Sequence, residues 1–218
     1  MPTIGVQHCL RTLTRNIQEA QLLLQEARSF RIILPNGNAR HIGTHRVELL
    51  AGLALLRMHL SWEDFIESVF VRYMCGAKSA SGFSPTLILS PEPNIVSATA
   101  TLLHPTPTHT YLYLNWNVKN ISSWASRHFF HGEPFALAIG AFRQTLEDIS
   151  AVRNVFAHRS TFAIGNFHAL VLREIGYVPR GTNPGRFLLT NHPSHTPPQR
   201  FIDLYADALL NAAGIIVP

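Results

Sequence analysis

Apolar side chains return at intervals of three and four along several stretches of this chain, the period of a helix with one face turned to a core. Between residues 12 and 30 the repeating set is Leu13, Ile17, Ala20, Leu24 and Ala27, and Pro35-Asn36-Gly37-Asn38 breaks it. A longer helix is predicted over 44–75. Its apolar set is Leu49, Leu53, Leu56, Leu60, Phe65, Val69 and Tyr73, its polar side carries Glu63, Asp64 and Glu67, and Gly76 is its stop. Asn117 is placed to cap a helix over 118–131. Pro134 opens the next one, at a position where the missing amide hydrogen costs nothing. Phe135, Ile139, Phe142, Leu146, Ile149, Val152 and Phe156 form its apolar stripe, and Arg159-Ser160-Thr161 marks its end. Helices over 162–175, stopped by Gly176, and over 199–213 complete the set. These elements predict a mainly α fold of antiparallel helices.

Two stretches interrupt the periodicity. Residues 79–113 are rich in serine, threonine and proline and nearly free of charge. Within them Thr86-Leu87-Ile88-Leu89 and Ile95-Val96-Ser97-Ala98-Thr99 predict short strands or a structured loop, and Tyr111-Leu112-Tyr113-Leu114 another extended piece. The stretch has too few apolar residues to hold a core of its own, so it reads as an irregular or short-stranded insertion. A single domain spanning 1–218 follows, with a C-terminal extension over 177–218 that begins as a proline- and glycine-rich connector, 179–198.

Composition narrows the class. Hydrophobic residues make up 46% of the chain and the mean hydropathy is +0.09, enough for a real core and against disorder. The longest apolar run, 47–58, carries Glu48 and Arg57 and is too short to span a bilayer. The start, Met1-Pro2-Thr3-Ile4-Gly5-Val6, lacks the basic and apolar regions of a secretory leader. Cys9 and Cys75, the only two cysteines, are too few for a disulfide framework or a thiolate zinc site. A soluble cytoplasmic protein with no membrane partner is expected. The net charge of +5 and pI of about 9.7 favour an acidic partner, nucleic acid first. Of the 18 cationic side chains only Lys78 and Lys119 are lysines, so 16 are arginines, a bias that genome composition can also produce.

The candidate chemistry lies in Arg153-Asn154-Val155-Phe156-Ala157-His158, at the end of an apolar-striped helix. An arginine can hold a phosphate and a histidine can move a proton near neutral pH. Spacing alone says little. With 16 arginines and 12 histidines in 218 residues, chance supplies roughly one Arg-x4-His match. A second match, Arg40 to His45, occurs in a turn-rich stretch without a periodic frame. On an ideal helix Arg153 and His158 point about 140° apart, whereas Asn154 and His158 are neighbours at i, i+4. A purely structural role is also open, with Arg153 reaching solvent and His158 favourably placed at a helix C-terminus. His128-x2-His131 and His192-x2-His195 have ligand spacing, yet no carboxylate or cysteine motif accompanies them, and neither a metal nor another cofactor is expected. Trp116, Trp124, Phe129 and Phe130 are candidates for base stacking or for the core. Arg127, Arg143 and Arg159 are candidates for a phosphate track.

Residues 146–159, Leu-Glu-Asp-Ile-Ser-Ala-Val-Arg-Asn-Val-Phe-Ala-His-Arg, resemble the signature helix of HEPN domains, a family marked by Arg-x4–6-His with a polar residue after the arginine. Arg153, Asn154 and His158 match that motif, and Trp62-Glu63-Asp64-Phe65-Ile66-Glu67 is similar to part of an early long helix in the family. The resemblance is specific at the signature helix, looser over 44–175, and does not extend to 79–113 or to the tail. It implies an all-α bundle that dimerises with two signature helices at a cleft. It also implies a metal-independent endoribonuclease, of the kind found in toxin–antitoxin and antiphage systems with a partner protein. Arg153, Asn154 and His158 would then be catalytic, with Glu63, Glu67 and Arg159 in support. The alternative is a non-catalytic HEPN module that binds RNA or scaffolds a partner. Some HEPN toxins carry a modifiable tyrosine two positions after the histidine. Ser160 stands there in this chain, which speaks against a nucleotidyltransferase antitoxin of that type.

Overall fold

The computed structural model describes residues 5–33, 35, 38–104 and 114–218. Among them the chain is mainly α, with eight α-helices and one two-stranded antiparallel sheet. The helices are α1 (Val6–Ser29), α2 (Thr44–Met74), α3 (Ile95–Leu103), α4 (Val118–His128), α5 (Phe135–His158), α6 (Thr161–Ile175), α7 (Pro184–Leu189) and α8 (Phe201–Ile216). No helix among the described residues is long and apolar enough to cross a membrane. The chain divides into two compact units. The first comprises residues 1–14, 62–146 and 209–218, the second residues 15–61 and 147–208.

The first unit is built around aromatic rings. Phe70 of α2 sits 4.9 Å from Phe129, 4.8 Å from Phe135 and 5.5 Å from Trp116, centroid to centroid, and Trp116 meets Trp124 edge-on at 4.8 Å. Tyr73 is fully buried, and its hydroxyl donates to the Ile216 carbonyl at 2.9 Å, which removes the cost of an unpaired buried O–H. The stretch 95–99, expected as a short strand or a structured loop, is instead the start of α3. Its β-branched residues favour a strand only weakly, and local polar chemistry overrides them. Asn94 caps the helix by accepting from the Ser97 amide at 2.9 Å. The hydroxyls of Ser97 and Thr101, one helical turn apart, both donate to the Glu92 carboxylate. Of the two expectations for 86–89, a short strand or a structured loop, the loop is found, with one bridge, Leu87 against Phe129, flanked by Ile88 N–H to His128 O and Phe130 N–H to Thr86 O. The extended piece expected at 111–113 lies outside the described residues. α4 ends three residues earlier than expected and is followed by a 3-10 turn, Phe130–Gly132, with His131 at a φ of 55°.

In the second unit Ile17, Ala20 and Leu24 of α1, Ile149, Val152 and Val155 of α5, and Phe167, Leu170 and Val171 of α6 are all buried. Phe187 of α7 bridges Phe167 at 5.7 Å and Phe201 of α8 at 4.2 Å. The connector expected over 179–198 therefore contains a short helix. Asn183-Pro184 is its start signal: the Asn183 side chain accepts from the Arg186 amide and proline occupies the first turn. A small hairpin, β1 (Arg31–Ile33) against β2 (Ala39–His41), was not expected, though Asn36-Gly37 in the sequence is a hairpin signal.

The first half of α2 corrects the apolar stripe assigned to it. Leu49, Leu53 and Leu60 are 50%, 50% and 55% exposed, while Ala51, Ala54, Leu55, Met58 and the acidic Glu48 are buried. With apolar residues on both sides of this segment, the spacing admits two phases, and the one that contains Ala51, Gly52 and Ala54 is buried. Gly52 shows why: a Cβ there would lie 1.8 Å from the Phe156 ring, so the ring of α5 packs directly on the α2 backbone. Close approach of two helices demands small residues at the contact.

Candidate functional site

The signature residues occupy the last two turns of α5, in the second unit. Val152 and Val155 are buried and anchor the helix, while Ala157 and His158 are exposed. Arg153 and Asn154 are intermediate. The guanidinium of Arg153 bends toward the polar side, and its Nη1 donates to Asn154 Oδ1 at 3.0 Å. That contact turns the arginine toward Asn154. Asn154 and His158 are one turn apart on the same face, so the arginine contacts a residue that shares a helix face with the histidine. Arg153 has no carboxylate partner among the described residues.

The helix stops immediately after His158. Arg159 takes a φ of 43°, in the left-handed region that non-glycine residues seldom adopt. Ser160 then caps α6, its Oγ accepting from the Ala163 amide at 3.2 Å. The serine at this position thus has a structural task of its own.

Beside this turn lies a cleft of about 130 Å³, lined by His45, Glu48, Leu49, Val155, Phe156, Arg159, Asn183 and Pro184. Glu48 is only 5% exposed. Its Oε2 accepts from Asn183 Nδ2 at 2.8 Å and its Oε1 from Arg186 Nε at 3.0 Å. Burial alone would raise its pKa. The two hydrogen bonds and the charges of Arg186 and His45 outweigh burial and hold the carboxyl below its ordinary range. The wall is fixed by another close approach: a Cβ on Gly185 would sit 2.0 Å from the Glu48 carbonyl oxygen, so α7 lies backbone to backbone on α2.

The expected support residues divide. Arg159 lines the cleft beside the signature helix. Glu63 and Glu67 belong to the first unit, where Glu67 accepts from the Trp116 indole N–H at 2.8 Å. Trp116, Trp124 and Phe129 are buried core residues, and Phe130 is exposed. His192 pairs with Glu174 at 3.2 Å, and His128 is partly buried, which lowers its pKa, as does nearby Arg127. Among the described residues no group of three or more histidine, cysteine or acidic side chains could hold a metal.

Sequence reasoning missed His45, Glu48 and Asn183 as cleft residues. One signal was available: Glu48 is the lone acid at the start of the apolar run 47–58, and an acid in such a place is either solvated or held by partners. No protein-family model matches this chain, and the curated proteins and solved structures likewise yield no match.

Proposed function

We propose that this chain is a metal-independent endoribonuclease of HEPN type, acting as a homodimer on RNA. The observation that carries the reading is the Arg153–Asn154 contact at 3.0 Å, which ties the arginine to half-buried Asn154, one helical turn before the exposed His158 at the end of α5. RNA supplies its own nucleophile, the 2′-hydroxyl. One His158 takes that proton as oxygen attacks phosphorus, and a second His158, from the other copy, protonates the departing 5′-oxygen. Arg153 neutralises charge on the phosphoryl oxygens through paired N–H donors, and Asn154 orients the guanidinium. The products are a 2′,3′-cyclic phosphate and a 5′-hydroxyl. Leu49, Leu53 and Leu60 supply apolar surface in the same unit that a second copy would cover. The cationic balance of the chain suits a polyanionic substrate.

The test is a gel of RNA incubated with purified protein in EDTA. Cleavage by the wild type, and its loss in His158→Ala with the fold intact, supports the nuclease. RNA binding without cleavage would replace it with a non-catalytic RNA-binding module. A toxin or defence effector should also arrest growth on expression, and His158→Ala should relieve the arrest.

A further inference from the structure

The segment between Glu26 and Glu48 carries charge of one sign. Over 27–47 it holds four arginines and two histidines and no carboxylate. Its centre is the hairpin of β1 and β2, whose register puts Arg31 directly opposite His41 and Ile32 opposite Arg40. Side chains alternate across a strand, so Arg31 and His41 lie on one face of the ribbon and Arg40 on the other. Two residues of chain separate β2 from α2, which keeps the start of α2 within about 11 Å of the end of β2. The first turn of α2 adds His45 and Arg46. All five side chains are exposed. Among the described residues Arg31, Arg40 and Arg46 make no ion pair with a carboxylate. Like charges gathered without counter-charges repel one another, so the cluster costs the fold and does not serve it. Two large apolar side chains stand among the cations, Phe30 at 60% and Ile33 at 77% exposure.

We propose that this hairpin and the first turn of α2 form a binding arm for the phosphate backbone of single-stranded RNA. Arg31, Arg40 and Arg46 each take a phosphate, and Phe30 stacks on an unpaired base. Cations on both faces of a two-stranded ribbon suit a flexible polyanion that wraps around it. A membrane surface is flat and would meet one face only. A duplex keeps its bases stacked on one another and leaves Phe30 without a partner. The arm also leads to the signature helix: His45 and Arg159 line one cleft, and Arg159 directly follows His158. The inference deepens the nuclease reading, on which the choice of RNA rests, while binding itself is measured without any cleavage.

Fluorescence anisotropy with a labelled single-stranded 2′-O-methyl RNA, which lacks the 2′-hydroxyl nucleophile and is not cut, tests the arm across a series of salt concentrations. For a single strand each phosphate contact contributes about 0.7 to the slope of log affinity against log salt. The wild type should show a slope of about 2 or more, and Arg31→Ala/Arg40→Ala/Arg46→Ala should lose about 2 of it. Arg11→Ala/Lys78→Ala/Lys119→Ala removes the same charge from exposed positions of the first unit and should change the slope by less than about 0.7. Phe30→Ala should weaken binding about five-fold or more at an unchanged slope. Melting temperatures should stay at the wild-type value, because the replaced side chains are exposed. On cleavable RNA the loss falls on KM, with the rate at saturating RNA within about two-fold of wild type. Equal losses from the two triple variants, tighter binding of an RNA duplex of the same length, or preferred binding to phosphatidylserine vesicles overturns the proposal. Arm-dependent binding by a protein that never cuts RNA keeps the arm and removes the nuclease. RNA cleavage by a protein whose hairpin variant binds like wild type removes the arm and keeps the nuclease.

Discussion

The chain contains the same spacing twice, and the two copies came to different ends. In Arg153–His158 both residues lie on one helix, and the arginine contacts Asn154, which shares a helix face with the histidine. In Arg40–His45 the arginine lies on β2, paired with Ile32, and the histidine in the first turn of α2, with a loop between them. Five positions along a rigid helix fix a direction, whereas five across a strand, a loop and a helix start fix nothing. Yet His45 reached the cleft beside the signature helix together with Arg159. The spacing was meaningless there, but the location of one of its members was not.

The comparison can be broken most sharply by activity. His158→Ala and Arg153→Ala should each lower RNA cleavage by roughly 10²–10⁴-fold, while Arg40→Ala should leave the rate within about two-fold. Equal losses from Arg153→Ala and Arg40→Ala would mean that general electrostatics, not the helical site, carries activity. The next largest effect is on stability. Gly185→Ala puts a methyl group into the backbone of Glu48 and Gly52→Ala puts one into the Phe156 ring. Backbone yields less readily than a ring, so Gly185→Ala should cost about 3 kcal/mol and Gly52→Ala somewhat less. Thermal melts of the two variants would test that order, and no loss at Gly185 would show that α7 does not rest on α2 as described.

A smaller effect concerns pH. The Glu48 carboxyl is held below its usual value of 4.5. Its contribution is therefore fully present above that value and is lost as the pH falls through the folded-state pKa. Glu48→Gln should destabilise the fold at neutral pH by roughly 1–3 kcal/mol, read as a lower melting temperature. The gap to wild type should narrow below about pH 4. A gap that widens on acidification would contradict the ionised, doubly bonded carboxylate. The smallest effect expected is at the cap after the signature helix: Ser160→Ala should cost about 1 kcal/mol in denaturant unfolding. A wild-type midpoint would mean the Ala163 contact contributes nothing.

The sequence was most legible where caps and periodicity agreed. Asn117, Pro134 and Gly176 marked helix boundaries close to those observed for α4, α5 and α6. It failed where two signals competed. Ile95-Val96 reads as strand by side-chain shape, and Asn94 with Glu92 turned it into helix. Leu49, Leu53, Leu56 and Leu60 read as the core stripe of α2, and the smaller phase through Ala51, Gly52 and Leu55 was buried instead. Asn183-Pro184 is a helix start in plain view, obscured by the prolines and glycines around it.

Periodicity, caps and charge thus determined that this is a mainly α chain and which helix carries the arginine, asparagine and histidine, because those signals act within a few residues of each other. Only the tertiary structure decided which face of α2 is buried and that Glu48, Asn183 and Arg186 meet. Glu48 is more than a hundred positions from the other two in the chain. Their meeting depends on how closely two backbones can approach, which Gly185 permits and no local pattern records.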